Sequence, residues 1–339
     1  MKKNRIYNYC TLFDSHYLTR GLSMYYSLKE STEDNFHLYI FSFDETCNRI
    51  LKSLDLPSVT IISLEELERN SDLLKVKNER TLGEYCWTAT PSIIWFCLKF
   101  FQLDSCTYID SDLFFYSNPN SVIEEMGNAS VSIISHRYTK RYDQTKKSGK
   151  YCVQFMTFKN NDDGLTVLDW WKNECINWCY ARYEDGKFGD QKYLDDWPKV
   201  FRGIYEIQNL GAGIAPWNVQ QYQLIDPNKK IFKKIALKKE FNLVFFHFHG
   251  LKFINENEVY LNTYYLSKEI IKHLYLPYIH TLKKFDEELK SKFPIDFTVN
   301  EKFKKPTFFK KPLWKIPFRI LFFLIGKKNY ILKLNLKAR

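Results

Sequence analysis

The sequence predicts an α/β protein built on a parallel sheet, and three observations support this class. Short β-branched or aromatic segments alternate with amphipathic segments through the first hundred residues, an order typical of parallel strands covered by helices on both faces. The chain has 339 residues, of which 45% are hydrophobic, enough to bury one large core. No apolar run approaches the ~20 residues of a membrane span.

The first half of the chain follows this alternation closely. We predict strands at residues 5–13, 37–43 and 59–64, with helices at 17–29 and 46–54 between them. Thr90 and Pro91 fit the N-cap and first position of a helix that runs through Leu103 and is apolar on nearly every side. Such a helix should be buried, and it leads directly into the apolar segment at 106–109.

Beyond residue 120 the alternation is less regular. Strands are predicted at 131–135 and 151–160, separated by a polar, basic segment at 136–150 that we expect to be a mobile loop. A Trp-rich helix is predicted at 163–183, and a long amphipathic helix at 268–292. Residues 1–299 contain no internal repeat or flexible linker, so we predict one domain followed by a tail at 300–339.

The net charge of +11 lies in that tail. Residues 300–339 contain 12 Lys or Arg and one acidic residue, which leaves 38 residues of each sign in residues 1–299. A neutral body argues against a nucleic-acid groove along the fold. The tail alternates basic clusters with apolar segments such as ILFFLIG, a pattern that favours attachment to an anionic membrane surface. The alternatives are packing on the body or on a partner and non-specific binding of nucleic acid.

The N-terminus and the cysteines favour a cytoplasmic protein. The eight cysteines are scattered without a CxxC pair, which is typical of reduced, packed thiols. The first ten residues are basic but lack the apolar stretch of a signal peptide. Cys175 and Cys179 lie four apart without a matching His or Cys pair, so we do not expect zinc there.

Two carboxylates end the apolar segment CTYIDSD. Asp110 and Asp112 are two residues apart, so on an extended chain both point to the same face. Mn²⁺ or Mg²⁺ would relieve their repulsion and hold a phosphorylated substrate. Ligands of open α/β sheets bind beyond the carboxyl ends of strands, where Asp14 also lies. The alternative is one aspartate that caps a turn and one that is solvated.

The order of four motifs resembles the nucleotide-sugar glycosyltransferases of the GT-A fold, mainly family 8 and related bacterial enzymes that build surface polysaccharide. These motifs are the turn with Asp14, TYIDSD at 107–112, GDQKYL at 189–194 and HFHG at 247–250. The resemblance covers about residues 5–255. It implies a GT-A type, Rossmann-like mixed sheet flanked by helices. The implied parts are a nucleotide-binding half at 1–120, an acceptor and metal-completing half at 121–266, and a C-terminal helix at 267–299.

The resemblance also implies roles for single residues. Asp110, Asp112 and His247 would hold Mn²⁺ or Mg²⁺, with His249 as the alternative histidine. Asp190 and Gln191 would be catalytic, close to the anomeric carbon of the donor; a helix N-cap is the other role open to Asp190. The remaining donor contacts would come from Asp14, Tyr17, Ser111, Gln154 and Lys252.

The chain departs from the family pattern at three points. The third position of the family's Asp-Gln-Asp segment is Lys192. The arginine usual in the helix before the DxD strand is absent, and Arg80 is the nearest candidate to replace it. Lys252 follows Gly250 without the usual Pro-Trp. In QNLGAGIAPWN, Trp217 is either a platform for a sugar ring or a packed core residue.

The resemblance implies a hexosyltransferase-type enzyme. It would move a sugar from a nucleoside diphosphate donor, with UDP-sugar favoured, to a hydroxyl of a bacterial lipopolysaccharide or capsule glycan, free or lipid-linked. The anomeric configuration of the sugar should be retained. The enzyme should lie at the inner face of the bacterial plasma membrane. The alternatives are an inverting enzyme with Asp190 as base and an inactive membrane-associated binding protein. A nucleotidyltransferase is disfavoured because the first strand lacks a glycine-rich basic loop.

Overall fold

The structure is a computed structural model that describes residues 6–32, 35–69, 72–293 and 331–334. Its strands are β1 (Tyr7–Phe13), β2 (Phe36–Ser42), β3 (Val59–Ser63), β4 (Ser105–Ile109), β5 (Leu113–Phe115), β6 (Val131–Ser135), β7 (Tyr151–Lys159), β8 (Ile204–Glu206), β9 (Tyr222–Asp226), β10 (Ile231–Lys234), β11 (Lys239–Asn242), β12 (Phe245–His247), β13 (Lys252–Asn255), β14 (Glu258–Tyr260) and β15 (Ile331–Lys333). Its α-helices are α1 (Leu18–Ser31), α2 (Glu45–Leu54), α3 (Leu64–Glu68), α4 (Leu73–Val76), α5 (Leu82–Phe100), α6 (Asn120–Glu124), α7 (Thr145–Ser148), α8 (Asp162–Asn177), α9 (Trp197–Val200), α10 (Lys268–Ile270) and α11 (Leu276–Lys292).

A seven-stranded mixed sheet in the order β3-β2-β1-β4-β7-β6-β8 forms the centre of the fold. Strands β1 to β4 are parallel, β7 runs antiparallel to both of its neighbours, and β6 and β8 pair in parallel. Alternate residues of β1 enter different cores. Tyr7 and Tyr9 pack with α1 and α2, whereas Cys10 and Leu12 pack with α5 and α8. The predicted helix-covered sheet is therefore confirmed.

Helix α5 begins nine residues before its predicted start. Thr81 is the N-cap, and it forms a capping box with Glu84, whose carboxylate accepts from the Thr81 amide at 2.9 Å. Pro91 lies in the interior of the helix and not at its first position. The prediction was wrong because burial of the middle of this helix outweighs the loss of one backbone hydrogen bond at proline.

The second half shows two further differences from the prediction. Helix α8 ends at Asn177, six residues earlier than expected. The basic segment at 136–150 carries helix α7 and hydrogen bonds to residues 191–195, and is not a free loop. The long C-terminal helix is confirmed, with α10 and α11 joined through a π-helical stretch at Ile271–Tyr275.

Most of the predicted tail at 300–339 lies outside the described residues. Within it, Ile331–Lys333 forms β15, which pairs with β14 in a three-stranded sheet with β13. No helix in the described ranges has the length and apolar character needed to cross a bilayer.

Candidate active site

A cavity of about 680 Å³ opens at the carboxyl ends of β1 and β4. This volume lies within the range of small-molecule sites. Nine of the predicted site residues line it: Asp14, Tyr17, Asp110, Ser111, Asp112, Asp190, Gln191, His247 and His249. Two other predicted contacts, Gln154 and Lys252, are not among the lining residues.

Backbone pairing brings the DxD segment and the histidine segment together. The Asp110 amide donates to the Gln154 carbonyl at 3.0 Å, which fixes the end of β4 against β7. Strand β5 then pairs antiparallel with β12, so that His247 stands opposite Leu113. The Phe248 amide donates to the Asp112 carbonyl at 3.0 Å. The position of His247 is therefore set by a strand ladder that joins segments far apart in the sequence.

His247 is held between an amide and two carboxylates. Its Nε2 lies 2.9 Å from Asp112 Oδ1 and 3.7 Å from Asp110 Oδ2, while its Nδ1 lies 3.0 Å from Gln154 Oε1. An amide oxygen only accepts, so this contact is a hydrogen bond when Nδ1 carries a hydrogen. The Nε2 atom is therefore aimed at the carboxylates, with a proton when the ring is charged and with a lone pair when the ring is neutral.

The ionisation of this group reflects that geometry. Burial alone would lower the pKa of His247, but the charge of Asp112 and the hydrogen bond to it raise that pKa well above its ordinary value. Burial alone would raise the pKa of Asp112, but the charge and hydrogen bond of His247 hold it at about 2. Burial raises the pKa of Asp110, whose Oδ1 accepts from the Tyr108 hydroxyl at 2.8 Å.

Either histidine can contribute to a cation site with Asp112. One ligand atom from each of Asp112, His247 and His249 lies within 4.8 Å of the others. A metal-bound imidazole is usually oriented by a hydrogen bond to its other ring nitrogen. In His247 that nitrogen is Nδ1, and the amide oxygen of Gln154 is its partner. Oxygen and imidazole ligands suit Mn²⁺, so the residues present fit the predicted cation.

Asp190 and Gln191 stand on another wall of the cavity. Gly189 has φ +52° and lies so close to the Trp87 ring that a Cβ would approach it to 3.3 Å. The indole of Trp171 donates to the Asp190 carbonyl at 2.9 Å. The Asp190 carboxyl is buried, and burial together with the charge of Asp110 raises its pKa to about 8.

Lys192, which follows Asp190 and Gln191, holds the segment 144–150 in place. Its Nζ lies 2.6 Å from Asp195 Oδ2 and donates to the Thr145 carbonyl at 3.2 Å. Asp195 Oδ1 also accepts from the Lys150 amide at 2.6 Å, and Gln191 Nε2 donates to the Ser148 carbonyl at 2.7 Å. These bonds hold residues 144–150 against the cavity, where Gln144 and Ser148 join its lining.

Asp14 caps the turn that leads into α1. Its Oδ1 accepts from the Tyr17 amide at 3.1 Å, and burial raises its pKa. Arg20, which the sequence interpretation missed, lies over the Tyr17 ring at 4.6 Å and donates to the Leu251 carbonyl at 3.0 Å. Arg20 thus joins the first turn to the HFHG segment.

Aromatic residues from distant segments complete the cavity, and several were not predicted: Trp87, His136, Tyr138, Phe188 and Tyr264. Trp217 is buried, and its Nε1 donates to the His136 carbonyl at 2.9 Å. Its ring centroid lies 5.3 Å from that of His247, and Trp217 also lines the cavity, so the structure shows it packed against the histidine at the edge of the site. Arg80 contacts Tyr180 and the Ile176 carbonyl and is not among the lining residues.

The chain matches no protein-family model. It is 30% identical to YfnD of Bacillus subtilis over 297 residues, which cover 85% of this chain and 92% of YfnD. It is also 32% identical to YfnF of the same organism over 259 residues, 74% of this chain and 84% of YfnF. The chain belongs to the YfnD/YfnF family. Both relatives are described as uncharacterized.

This YfnD/YfnF family member is similar to two solved structures of low sequence identity. The galactosyltransferase LgtC, determined with donor and acceptor sugar analogues, is 11% identical and has a TM-score of 0.53; the match covers 84% of this chain and 100% of LgtC. Mouse xyloside xylosyltransferase 1 is 12% identical with a TM-score of 0.46, over 73% of this chain and 98% of that structure. The likeness to LgtC confirms the predicted GT-A type fold.

Proposed function

We propose that this member of the YfnD/YfnF family is a metal-dependent glycosyltransferase of the hexosyltransferase type. One observation carries the proposal: Asp110, Asp112 and His247 converge on one point of a cavity at the carboxyl edge of the sheet. Acidic and imidazole ligands at such an edge suit a cation bound to a phosphorylated ligand. LgtC, which shares the fold, is named as a galactosyltransferase.

Asp110, Asp112 and His247 would hold Mn²⁺ or Mg²⁺, with His249 as a fourth or alternative ligand. When bound, the cation would supply positive charge that stabilises the departing diphosphate. Gln154 keeps the Nδ1 hydrogen of His247, so the Nε2 lone pair is available once the ring loses its proton. Asp14, Tyr17 and Ser111 would contact the donor from the same edge.

Burial and the charge of Asp110 raise the pKa of the Asp190 carboxyl to about 8. A pKa near the working pH suits a general acid or a general base, so this carboxyl is compatible with either stereochemical course. We propose retention of the anomeric configuration, with inversion by Asp190 as base as the alternative. Gln191, oriented by the Ser148 carbonyl, would lie beside the anomeric carbon. NMR of the anomeric proton in the product distinguishes the two outcomes.

We further propose a UDP-sugar donor and an acceptor hydroxyl on a bacterial surface glycan such as lipopolysaccharide or capsule, free or lipid-linked. The LgtC structure, with its donor and acceptor sugar analogues, supports a sugar-transfer site of this kind. The basic tail at 300–339 would attach the enzyme to the cytoplasmic face of the plasma membrane, with no nucleic-acid partner.

The test is a thermal-shift panel of UDP-, GDP-, CMP- and dTDP-sugars with and without Mn²⁺. A ligand that binds only the folded chain raises its melting temperature, by mass action. We expect a shift for one nucleotide class that requires Mn²⁺ and disappears in Asp112→Ala, together with slow hydrolysis of that donor. A folded chain that binds no donor in the panel would instead support the binding-protein alternative.

A further inference from the structure

A basic hairpin follows strand β9 in a three-stranded antiparallel sheet. We define it as residues 227–239, PNKKIFKKIALKK, which include β10 and the turn into β11. It contains six lysines and no acidic residue, although residues 1–299 as a whole are neutral. The positive charge is therefore concentrated here within an otherwise balanced surface.

The hairpin is anchored at its base and exposed at its tip. Phe232 is fully buried and stacks on Phe241 with ring centroids 6.1 Å apart, and Tyr222 packs on Phe241 at 5.5 Å. At the tip, Ile235 is 57% exposed and Leu237 is 62% exposed, within a run of exposed residues from 235 to 240. The strand pair thus presents two exposed apolar side chains beside Lys238, Lys239 and Glu240.

The tip adjoins the rim of the cavity. The Ile235 amide donates to the Gln221 carbonyl at 3.2 Å, and the side chain of Gln220 donates to the Tyr265 carbonyl at 2.8 Å. Tyr265 is 48% exposed and follows Tyr264, which lines the cavity. The Tyr265 amide donates to the Tyr142 hydroxyl, next to the exposed residues 140 and 141, a lysine and an arginine. Hydrogen bonds therefore connect the tip and the basic residues 140 and 141 to segments that border the cavity lining.

We propose that the tip of the basic hairpin docks on an anionic lipid bilayer, with Ile235 and Leu237 in the interface and the lysines at the headgroups. Lysine clusters alone suit any polyanion, but exposed isoleucine and leucine at the tip gain only from an apolar phase. Docking there would turn the cavity opening toward the membrane. The inference goes beyond the proposed function, because it concerns a surface of the folded body and does not require transferase activity.

The experiment uses the full chain with a dye at the tip, since the tail can bind vesicles by itself. Leu237→Cys is labelled with an environment-sensitive thiol dye, and Phe100→Cys is the matched control. Phe100 is 69% exposed, and α5 carries it about 27 Å from Leu82 at the cavity, at ~1.5 Å per residue. The unsubstituted chain corrects for labelling of Cys86, which is only partly buried.

With vesicles of phosphatidylglycerol and phosphatidylcholine we expect a blue shift at position 237, quenched by a lipid-borne quencher, and no shift at position 100. Lys238→Ser, introduced into the labelled Leu237→Cys chain, should raise the lipid concentration at the midpoint of the blue shift about fivefold. The reason is that a basic residue at such a surface contributes about 1 kcal/mol. With vesicles of pure phosphatidylcholine, the dye on Leu237→Cys should show little blue shift.

Three results would overturn the proposal. The first is no shift at position 237 while flotation shows that the chain is bound, which would assign binding to another surface. The second is an equal shift at positions 237 and 100. The third is a shift of the same size with heparin or single-stranded DNA in place of vesicles, which would assign the hairpin to a soluble polyanion.

Discussion

Replacing Asp190 with asparagine should stabilise the fold at neutral and alkaline pH. The Asp190 carboxyl is buried, and its pKa rises from 3.8 to about 8. Between these values the folded chain holds a proton that the unfolded chain has released, so the free energy of unfolding falls as pH rises. An asparagine at this position is neutral in both states, so the substitution would remove this pH-dependent loss.

The magnitude follows from the size of the shift. At pH 7 the two states differ over about three pH units, each equivalent to about 1.4 kcal/mol, which gives an upper limit of about 4 kcal/mol. The effective dielectric constant around buried groups reduces this value, so we expect Asp190→Asn to gain about 1–3 kcal/mol at pH 7. For a chain of this size the melting temperature should rise by about 2 °C per kcal/mol.

The assay is melting temperature as a function of pH for the parent and the variant. Their difference should be largest near pH 8 and should nearly vanish by about pH 4, while donor turnover is lost. Glu84→Gln is a control of opposite sign: burial alone would raise the pKa of Glu84, but hydrogen bonds from the Ala181 and Thr81 amides outweigh it and lower that pKa. Glu84→Gln should be less stable than the parent at pH 7, and this difference should disappear in acid, where the parent's Glu84 is protonated. A difference for Asp190→Asn that is independent of pH would refute the reasoning.

Two further predictions concern residues that act through others. Gln154→Leu should weaken Mn²⁺ binding about 10- to 100-fold, because His247 loses the acceptor that orients it; calorimetry measures this, and Gln154→Glu should restore part of the affinity. Asp195→Ala should speed tryptic cleavage within residues 144–150, because Lys192 and the Lys150 amide lose their shared partner. Unchanged cleavage would show that other contacts hold the segment.

Local patterns were sufficient to predict the sheet and most helices. Apolar strands alternate with helices as far as β4, and both patterns survive in the structure because β1, β2 and β4 are buried on two faces. The start of α5 was missed because Thr90-Pro91 is a strong local signal for a helix start. The true signal, Thr81 with Glu84 three residues later, is equally local, and the sequence contains it.

The site was predictable only where chemistry is carried by short motifs. Asp110, Asp112, Asp190 and the HFHG histidines stand out by residue type and spacing, and the structure places them around one cavity. The role of Gln154 behind His247 depends on pairing between β4 and β7 and between β5 and β12, which no local pattern encodes. The same holds for the aromatic residues that line the cavity, which look like ordinary core residues in the sequence: Trp87, His136, Tyr138, Phe188 and Tyr264.

The buried charges of the cavity are tolerated because each carboxyl is stabilised differently. Asp112 is ionised beside a charged His247, and Asp110 accepts a hydrogen bond from the Tyr108 hydroxyl. Asp190 keeps its proton at neutral pH. Like charges that share a site separate their pKa values in this way. In the free chain, protonated His247 supplies the positive charge between the two DxD carboxylates. A divalent ion at that point would have to displace this proton, so the geometry that stabilises the free chain also prepares the site for the proposed metal.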